Sequence, residues 1–341
     1  MGSHRQQHAL PTIGALAVAV VAVSSSAPLI AYAAAPALAV AFWRNALATV
    51  ALTPVTLGPR RPELRRIGRR DLGFCVLAGL ALAAHFGTWM PSVQLGSVAT
   101  ATALVATQPV WQGLIAAAQG RRPSAAGWAG IGFAVAGAAW ATSADVHVSG
   151  RAVLADGLAL IGGLAGAVYT ALGERVRSRL STTTYTWICY GVCAVILLIA
   201  CGAARVELFR YDGSTWAAIL ALVAGAQLLG HSMFNYALHR TSATTVSVLL
   251  LLETPGAALI AWVWLGQAPR AAALPGIAML LAGVAVVIAT GAAGRVGSWW
   301  RRAAPTARDS GHGPAEGWLP STGPPDLPSM GPPDAAETPP R

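Results

Sequence analysis

The chain has 341 residues, of which 55% are hydrophobic and 11% charged, with a mean hydropathy of +0.56; a soluble domain carries about 25% charged residues, so a water-soluble globular protein is excluded. The formal net charge is +10, and all 23 basic residues are arginine. They sit in short clusters between apolar runs, not on one face or in one domain, which excludes nucleic acid as a partner and matches loops on one side of a bilayer.

In chain order, residues 1–11 form a short polar N-terminus, and ten apolar segments follow at about 12–31, 36–57, 72–91, 97–118, 127–143, 156–173, 184–202, 215–237, 244–265 and 271–291. Each is close to the ~20 residues that a helix needs to cross a bilayer. The first is too long for a signal-peptide core and is expected to remain as a membrane helix. Position 6 is Gln6, so the opening Met1-Gly2 does not support myristoylation. Connections are short, which requires one compact helix bundle. Beyond Gly291 the chain turns Pro-rich, from Pro305 to Pro339-Pro340. Residues 292–341 are expected to form a disordered tail, with Trp299-Trp300 beside Arg301-Arg302 as an interfacial anchor. Cys75, Cys189, Cys193 and Cys201 lie in or beside apolar segments and form no metal-type cluster; they read as small buried thiols, and no metal or cofactor is expected.

The arginines set the orientation. With the N-terminus inside, 18 fall in inner loops and tails, four (Arg151, Arg205, Arg210 and Arg270) fall outside, and Arg44 lies within the membrane. The opposite orientation reverses the bias, so both termini are expected to be cytoplasmic.

One stretch occurs twice. Pro109, Gly120, Pro123, Gly130, Ile131 and Gly137 recur, shifted by 146 with no gap, as Pro255, Gly266, Pro269, Gly276, Ile277 and Gly283; His85 and His231 obey the same shift. Five segments per half is an odd number, so the second half enters the membrane upside down. The expected fold is therefore an all-α membrane protein of ten transmembrane helices in two inverted five-helix repeats, residues 12–143 and 156–291, joined by an outer loop at 144–155. Such a pair of halves can supply outward-open and inward-open states, which points to transport.

Several stretches resemble the EamA family of the drug/metabolite transporter superfamily. They are Ala41-Phe42-Trp43-Arg44, then Ala99-Thr100-Ala101-Thr102-Ala103-Leu104 leading into Gln108-Pro109. In the second half they are Ala243-Thr244-Thr245-Val246, Leu252-Glu253-Thr254-Pro255, Trp264-Leu265-Gly266-Gln267, Gly276 and Leu281-Ala282-Gly283. The resemblance covers about residues 12–291 and implies movement of small metabolites, amino acids among them. The family's Gly-Glu pair after the fourth and ninth segments reads here as Gly120-Arg121 and Gly266-Gln267, so both acids are absent.

Ionisable groups are costly inside a bilayer and are functional candidates by default. Arg44 and Glu253 are the two permanent charges well inside segments. Glu253, two residues before Pro255, suits binding of a substrate ammonium, proton exchange or pairing with Arg44. Arg44 suits capture of a carboxylate through its planar fork, snorkelling, or a tie to neighbouring carbonyls. His85 and His231 titrate near neutral pH and occupy equivalent positions. Trp89 stands one turn beyond His85 and Asn235 one turn beyond His231, facing the same way. Gln108 and Tyr169 complete the substrate-binding set of His85, Trp89, Gln108, Tyr169, His231, Asn235 and Glu253, with Glu253 and Arg44 as coupling or gating residues. Gly162, Gly163 and Gly166, like Gly130, Gly132 and Gly137, permit close helix packing.

The reading is a plasma-membrane secondary transporter, not an enzyme, exporting small amino acid-like or amphipathic compounds by alternating access, with proton coupling through Glu253 and the histidines. Its partners are a small-molecule substrate and the lipid bilayer, with a homodimer left open. No G-x-x-x-x-G-K-[ST] loop is present to power it with nucleotide. The alternatives are a membrane-embedded enzyme, scramblase or channel acting on lipid-linked substrates, and a nucleotide-sugar type carrier.

Overall fold

A bilayer offers no partners for backbone amides and carbonyls, so long apolar runs resolve into helices that pair these groups internally. The computed structural model describes residues 3–95, 101, 104–142, 150–265 and 271–303. Part of the Ala99–Leu104 motif, residues 143–149 of the outer connection, Gly266-Gln267 and residues 304–341 of the Pro-rich tail lie outside the described residues. All regular elements among the described residues are helical. The first half holds α1 (Ser3–Ser24), α2 (Ser26–Tyr32), α3 (Ala37–Leu57), α4 (Arg61–Arg65), α5 (Arg69–Leu95), α6 (Gln108–Ala118) and α7 (Ala125–Thr142). The second holds α8 (Gly150–Arg177), α9 (Thr182–Ala203), α10 (Gly213–Leu222), a π-helical segment (Val223–His231), α11 (Ser232–Ala237), α12 (Ala243–Leu250), α13 (Glu253–Leu265), a 3₁₀ turn (Ala271–Ala273) and α14 (Leu274–Ala303).

Eight helical segments among the described residues are long and apolar enough to cross a membrane. The fourth and fifth expected spans fall short of that length. α6 has 11 residues, with residues 96–100 and 102–103 upstream of it outside the described part, and the fifth is the shorter apolar helix Ala125–Ala141. Outward faces are aliphatic: Val263 is 79% exposed, and Val21, Val50 and Ile199 are exposed with it. Water would penalise such a surface, whereas lipid does not.

Helix starts follow capping chemistry. Ser181, Asp212 and Ser242 accept hydrogen bonds from the backbone amides of Thr184, Thr215 and Thr245, which supplies partners that a helix N-terminus lacks. α9, α10 and α12 therefore begin one or two residues before the apolar runs expected at 184, 215 and 244. Helices also outrun the apolar stretches: α5 begins at Arg69, and α8 runs from Gly150 to Arg177. Asp71 in the first turn of α5, and Arg175 and Arg177 in the last turn of α8, complement the helix dipoles there. α14 continues past Gly291 to Ala303, because no proline interrupts it before Pro305.

Three of the expected spans are broken. Ser25 divides the first into α1 and α2; Ser24 and Ser25 turn their hydroxyls back onto the carbonyls of Val20 and Ala22, a bond that bends helices. In the fourth, Ala106-Thr107 form a turn ahead of α6, which opens on Gln108-Pro109. In the ninth, Leu251-Leu252 separate α12 from α13, which opens on Glu253-Thr254-Pro255. The two breaks fall within one residue of repeat-equivalent positions, where proline withholds a backbone donor.

α5 packs along α8, and α9 packs on α3 and α5. α7 and α14 meet backbone to backbone. A Cβ on Gly137 would lie 2.6 Å from the Gly276 carbonyl, and one on Gly276 would lie 2.8 Å from that of Gly137. Gly130 and Gly283 make the same exchange, at 3.1 and 2.6 Å. Gly276 and Gly283 are the repeat partners of Gly130 and Gly137, so this contact pairs each glycine with its partner's neighbour.

Candidate functional site

Arg44, His85, Trp89, Gln108, Tyr169, His231, Asn235 and Glu253, the eight residues singled out from the sequence, line one cavity. It draws on both halves, from α3, α5, α6, α8, the π segment, α11 and α13. Its atom-free space, open mouth included, is about 950 Å³. Most of its remaining wall is apolar, including Phe86, Phe234, Leu250 and Leu251.

Arg44 is fully buried. Its Nε donates to Gln227 Oε1 at 2.8 Å, Gln227 Nε2 donates to Asn45 Oδ1 at 3.0 Å, and Asn45 Nδ2 donates to the Ala41 carbonyl at 2.8 Å. The guanidinium carbon lies 4.3 Å from the centroid of the Phe86 ring, a cation–π contact that favours a desolvated cation. Both Nη atoms are buried with no hydrogen-bond partner among the described residues. The side chain does not snorkel, and its tie to a neighbouring helix runs to the side-chain carbonyl of Gln227 and not to a backbone carbonyl.

The expected alternative of an Arg44–Glu253 ion pair does not hold. Both residues line the cavity, yet the ion pairs among the described residues are Arg121–Glu174 at 2.7 Å and Arg179–Asp71 at 3.2 Å. Gln227 and Phe86 hold the arginine, and Glu253 opens α13 in the same wall. The start of a helix is a favourable place for a carboxylate, because unpaired amides and the dipole favour negative charge.

The two histidines flank the Phe86 ring, His85 tilted at 5.0 Å and His231 edge-on at 5.4 Å. His85 Nδ1 donates to the Gly162 carbonyl at 2.8 Å, which assigns the proton to that nitrogen; its ring also stacks on Trp89 at 5.8 Å. Asn235 Nδ2 donates to the His231 carbonyl at 2.8 Å and to the Tyr169 hydroxyl at 2.5 Å. Gln108 Nε2 donates to Thr170 Oγ1 at 3.2 Å. Gly166 makes this arrangement possible, since a Cβ there would lie 2.8 Å from Gln108 Oε1 and 3.0 Å from His85 Nδ1. Its role therefore extends beyond helix packing.

Beside the cavity, near Asn235 and Leu238, Arg177 joins several elements. Its Nε donates to the Asn235 carbonyl at 2.9 Å, its Nη2 to Thr182 Oγ1 at 2.6 Å, and its Nη1 to the Leu180 carbonyl. Glu63, in α4, accepts from the Ser181 amide and hydroxyl at 2.6 Å each and from Thr184 Oγ1 at 2.8 Å. Partial burial opposes ionisation of Glu63, but these bonds outweigh it and hold the carboxyl below its usual range.

Sequence reasoning passed over Gln227, Phe86 and Thr170. Gln227 carries a detectable signal, as an amide inside an apolar run. Its placement opposite Arg44 depends on the π turns, which no spacing in the chain announces.

Among known proteins, the chain shares 29% identity over 255 residues with a protein of Streptantibioticus cattleyicolor described as a "probable terminal-alkyne amino-acid exporter", covering 72% of this chain and 81% of that one. A protein of known crystal structure superimposes with a TM-score of 0.71 at 19% identity, over 83% of this chain and 98% of its own, which speaks for the fold. The EamA-like transporter family matches at residues 11–143 and again at 153–289, two copies that reproduce the repeat, and the chain is a member of that family.

Proposed function

We propose that this protein is a secondary transporter that exports small amphipathic, amino acid-like metabolites across the plasma membrane by alternating access. Its ten helices then form two inverted five-helix repeats with both termini cytoplasmic. The observation that carries the reading is the convergence of both halves on one cavity beside two helix breaks that match across the repeat to within one residue. Discontinuous helices near the bilayer midplane are where transporters of this architecture build substrate sites. The reciprocal glycine exchange between α7 and α14 supports a two-fold relation of the halves, and the arginine bias supports the orientation.

The substrate class rests on two supports. The cavity combines apolar walls with one permanent cation and one carboxylate, which suits an amphipathic metabolite bearing charged groups, and the Streptantibioticus relative is described as an amino-acid exporter. Glu253, His85 and His231 are titratable groups in the same wall, which supports proton coupling.

The test compares accumulation and efflux across the metabolome in cells with and without the protein, followed by flux in proteoliposomes. Saturable efflux of an amphipathic metabolite that responds to an imposed pH gradient is expected. Flux that ignores the gradient would refute the coupling; non-saturable leak without counterflow would replace the carrier with a channel.

A further inference from the structure

We propose that the cavity contains a carboxylate subsite built from Arg44 and Trp89, so that its ligand presents a planar oxyanion on an otherwise apolar body. This rests on reading the cavity as a small-molecule site. Among the cavity-lining residues, the buried side-chain polar atoms without a partner among the described residues are Nη1 and Nη2 of Arg44 and Nε1 of Trp89. All three are donors. Neither residue can relieve the deficit by changing its protonation, because the guanidinium keeps its charge and the indole nitrogen only donates.

The acceptors nearby are already engaged: Gln227 Oε1 by Arg44 Nε, the Tyr169 hydroxyl by Asn235, and Thr170 Oγ1 by Gln108. Glu253, the carboxylate of the same wall, forms no ion pair with Arg44 among the described residues, so these three donors stay without an acceptor, and burying donors unpaired is costly. Gln227 at Nε and Phe86 against the guanidinium leave the two Nη atoms as its unpartnered edge, a fork that matches the two oxygens of a carboxylate. Arg44 is the one arginine among the described lining residues, and Glu253 in the same wall would repel a dianion, so a monoanion fits better than a phosphate. Phe86, Phe234, Leu250 and Leu251 can cover the apolar body. Glu253 is the natural acceptor for an ammonium, if the ligand carries one.

Four probes with one linear tail separate the head groups: hexanoate, norleucine, norleucinamide and hexylamine. The readout is the ligand-induced shift in the thermal unfolding midpoint of the purified full-length protein. Hexanoate or norleucine should stabilise it, with the amide and the amine at least about tenfold weaker. Norleucine stronger than hexanoate assigns the ammonium to Glu253; the reverse assigns a simple monocarboxylate. W89F keeps the ring against His85 and removes the N–H, and should weaken carboxylate binding about five- to tenfold while leaving hexylamine unchanged. R44K keeps the charge and loses the fork, and should weaken it further; if R44K does not fold, W89F decides. The proposal is overturned if amide or amine binds as well as the carboxylates, if W89F retains wild-type carboxylate affinity, or if no probe shifts the midpoint. Carboxylate binding without flux in proteoliposomes would instead sink the transport reading and leave the subsite standing.

Discussion

Gly166 and Glu253 show how single positions shape the cavity. Because the α8 backbone at Gly166 lies against Gln108 and His85, added volume there enters the site directly. G166V should reduce maximal flux more than tenfold, about 1.4 kcal/mol in an equivalent barrier, with expression and elution profile unchanged; wild-type flux would remove this face of α8 from the pathway. Glu253 differs in kind, since the other half has Thr107 at the equivalent position, and Thr107 spends its hydroxyl on the Leu104 carbonyl and the Trp111 indole. E253Q preserves shape while removing the charge. We expect it to abolish the response of flux to a pH gradient; a response equal to wild type would take Glu253 out of coupling. Arg44 and Glu253 are legible in the sequence because a charge stands out in an apolar run. Phe86 and Gln227 are not, since an aromatic or an amide becomes part of a site through what folds against it.

Helix ends and interruptions connect these residues to the frame. Caps at Ser181, Asp212 and Ser242 explain where three helices begin, and such residues can be read from the chain. Long-range support for a cap cannot: Glu63 reaches Ser181 across 118 positions, joining α4 to the start of α9. E63Q should lower stability by about 1 kcal/mol, a modest figure because the group is partly solvated. The pH dependence has a definite sign. The Glu63 carboxyl in the folded protein lies below its ordinary value of 4.5. Its contribution is therefore complete above the unfolded value and is lost as pH falls through the folded one. Wild type and E63Q should thus converge in unfolding midpoint under acid, and a gap that persists well below pH 4.5 would show that the bonds do not depend on the charge. The helix breaks at Ala106-Thr107 and Leu251-Leu252 lie just ahead of Pro109 and Pro255, residues that can be read from the chain. The π segment has no such marker, since Val223–His231 contains no proline and its two glycines do not dictate wide turns.

Across the whole molecule, the repeat is the feature most legible in the sequence, and its physical reason appears in the α7–α14 contact. A shift of 146 relates Gly130 to Gly276 and Gly137 to Gly283, yet the contacts run Gly130 to Gly283 and Gly137 to Gly276. That crossing is the signature of an isologous contact, in which each partner offers the same surface to the other. It makes the energetic cost of substitution predictable. A Cβ at position 137 would lie 2.4 Å from the Leu280 amide nitrogen, and one at 276 would lie 2.6 Å from that of Ala141, so the helices must separate to admit either. G137A and G276A should each cost about 1–3 kcal/mol, as overpacking does. The double variant should cost less than their sum, because the first substitution already opens the seam that the second needs. Gly132 shares the helix with Gly137 but has nothing within 4 Å of a built Cβ, so G132A should leave the unfolding midpoint unchanged or slightly raised. Strict additivity at positions 137 and 276, or a G132A loss as large as theirs, would mean that the glycines serve helix flexibility and not the close approach of α7 and α14.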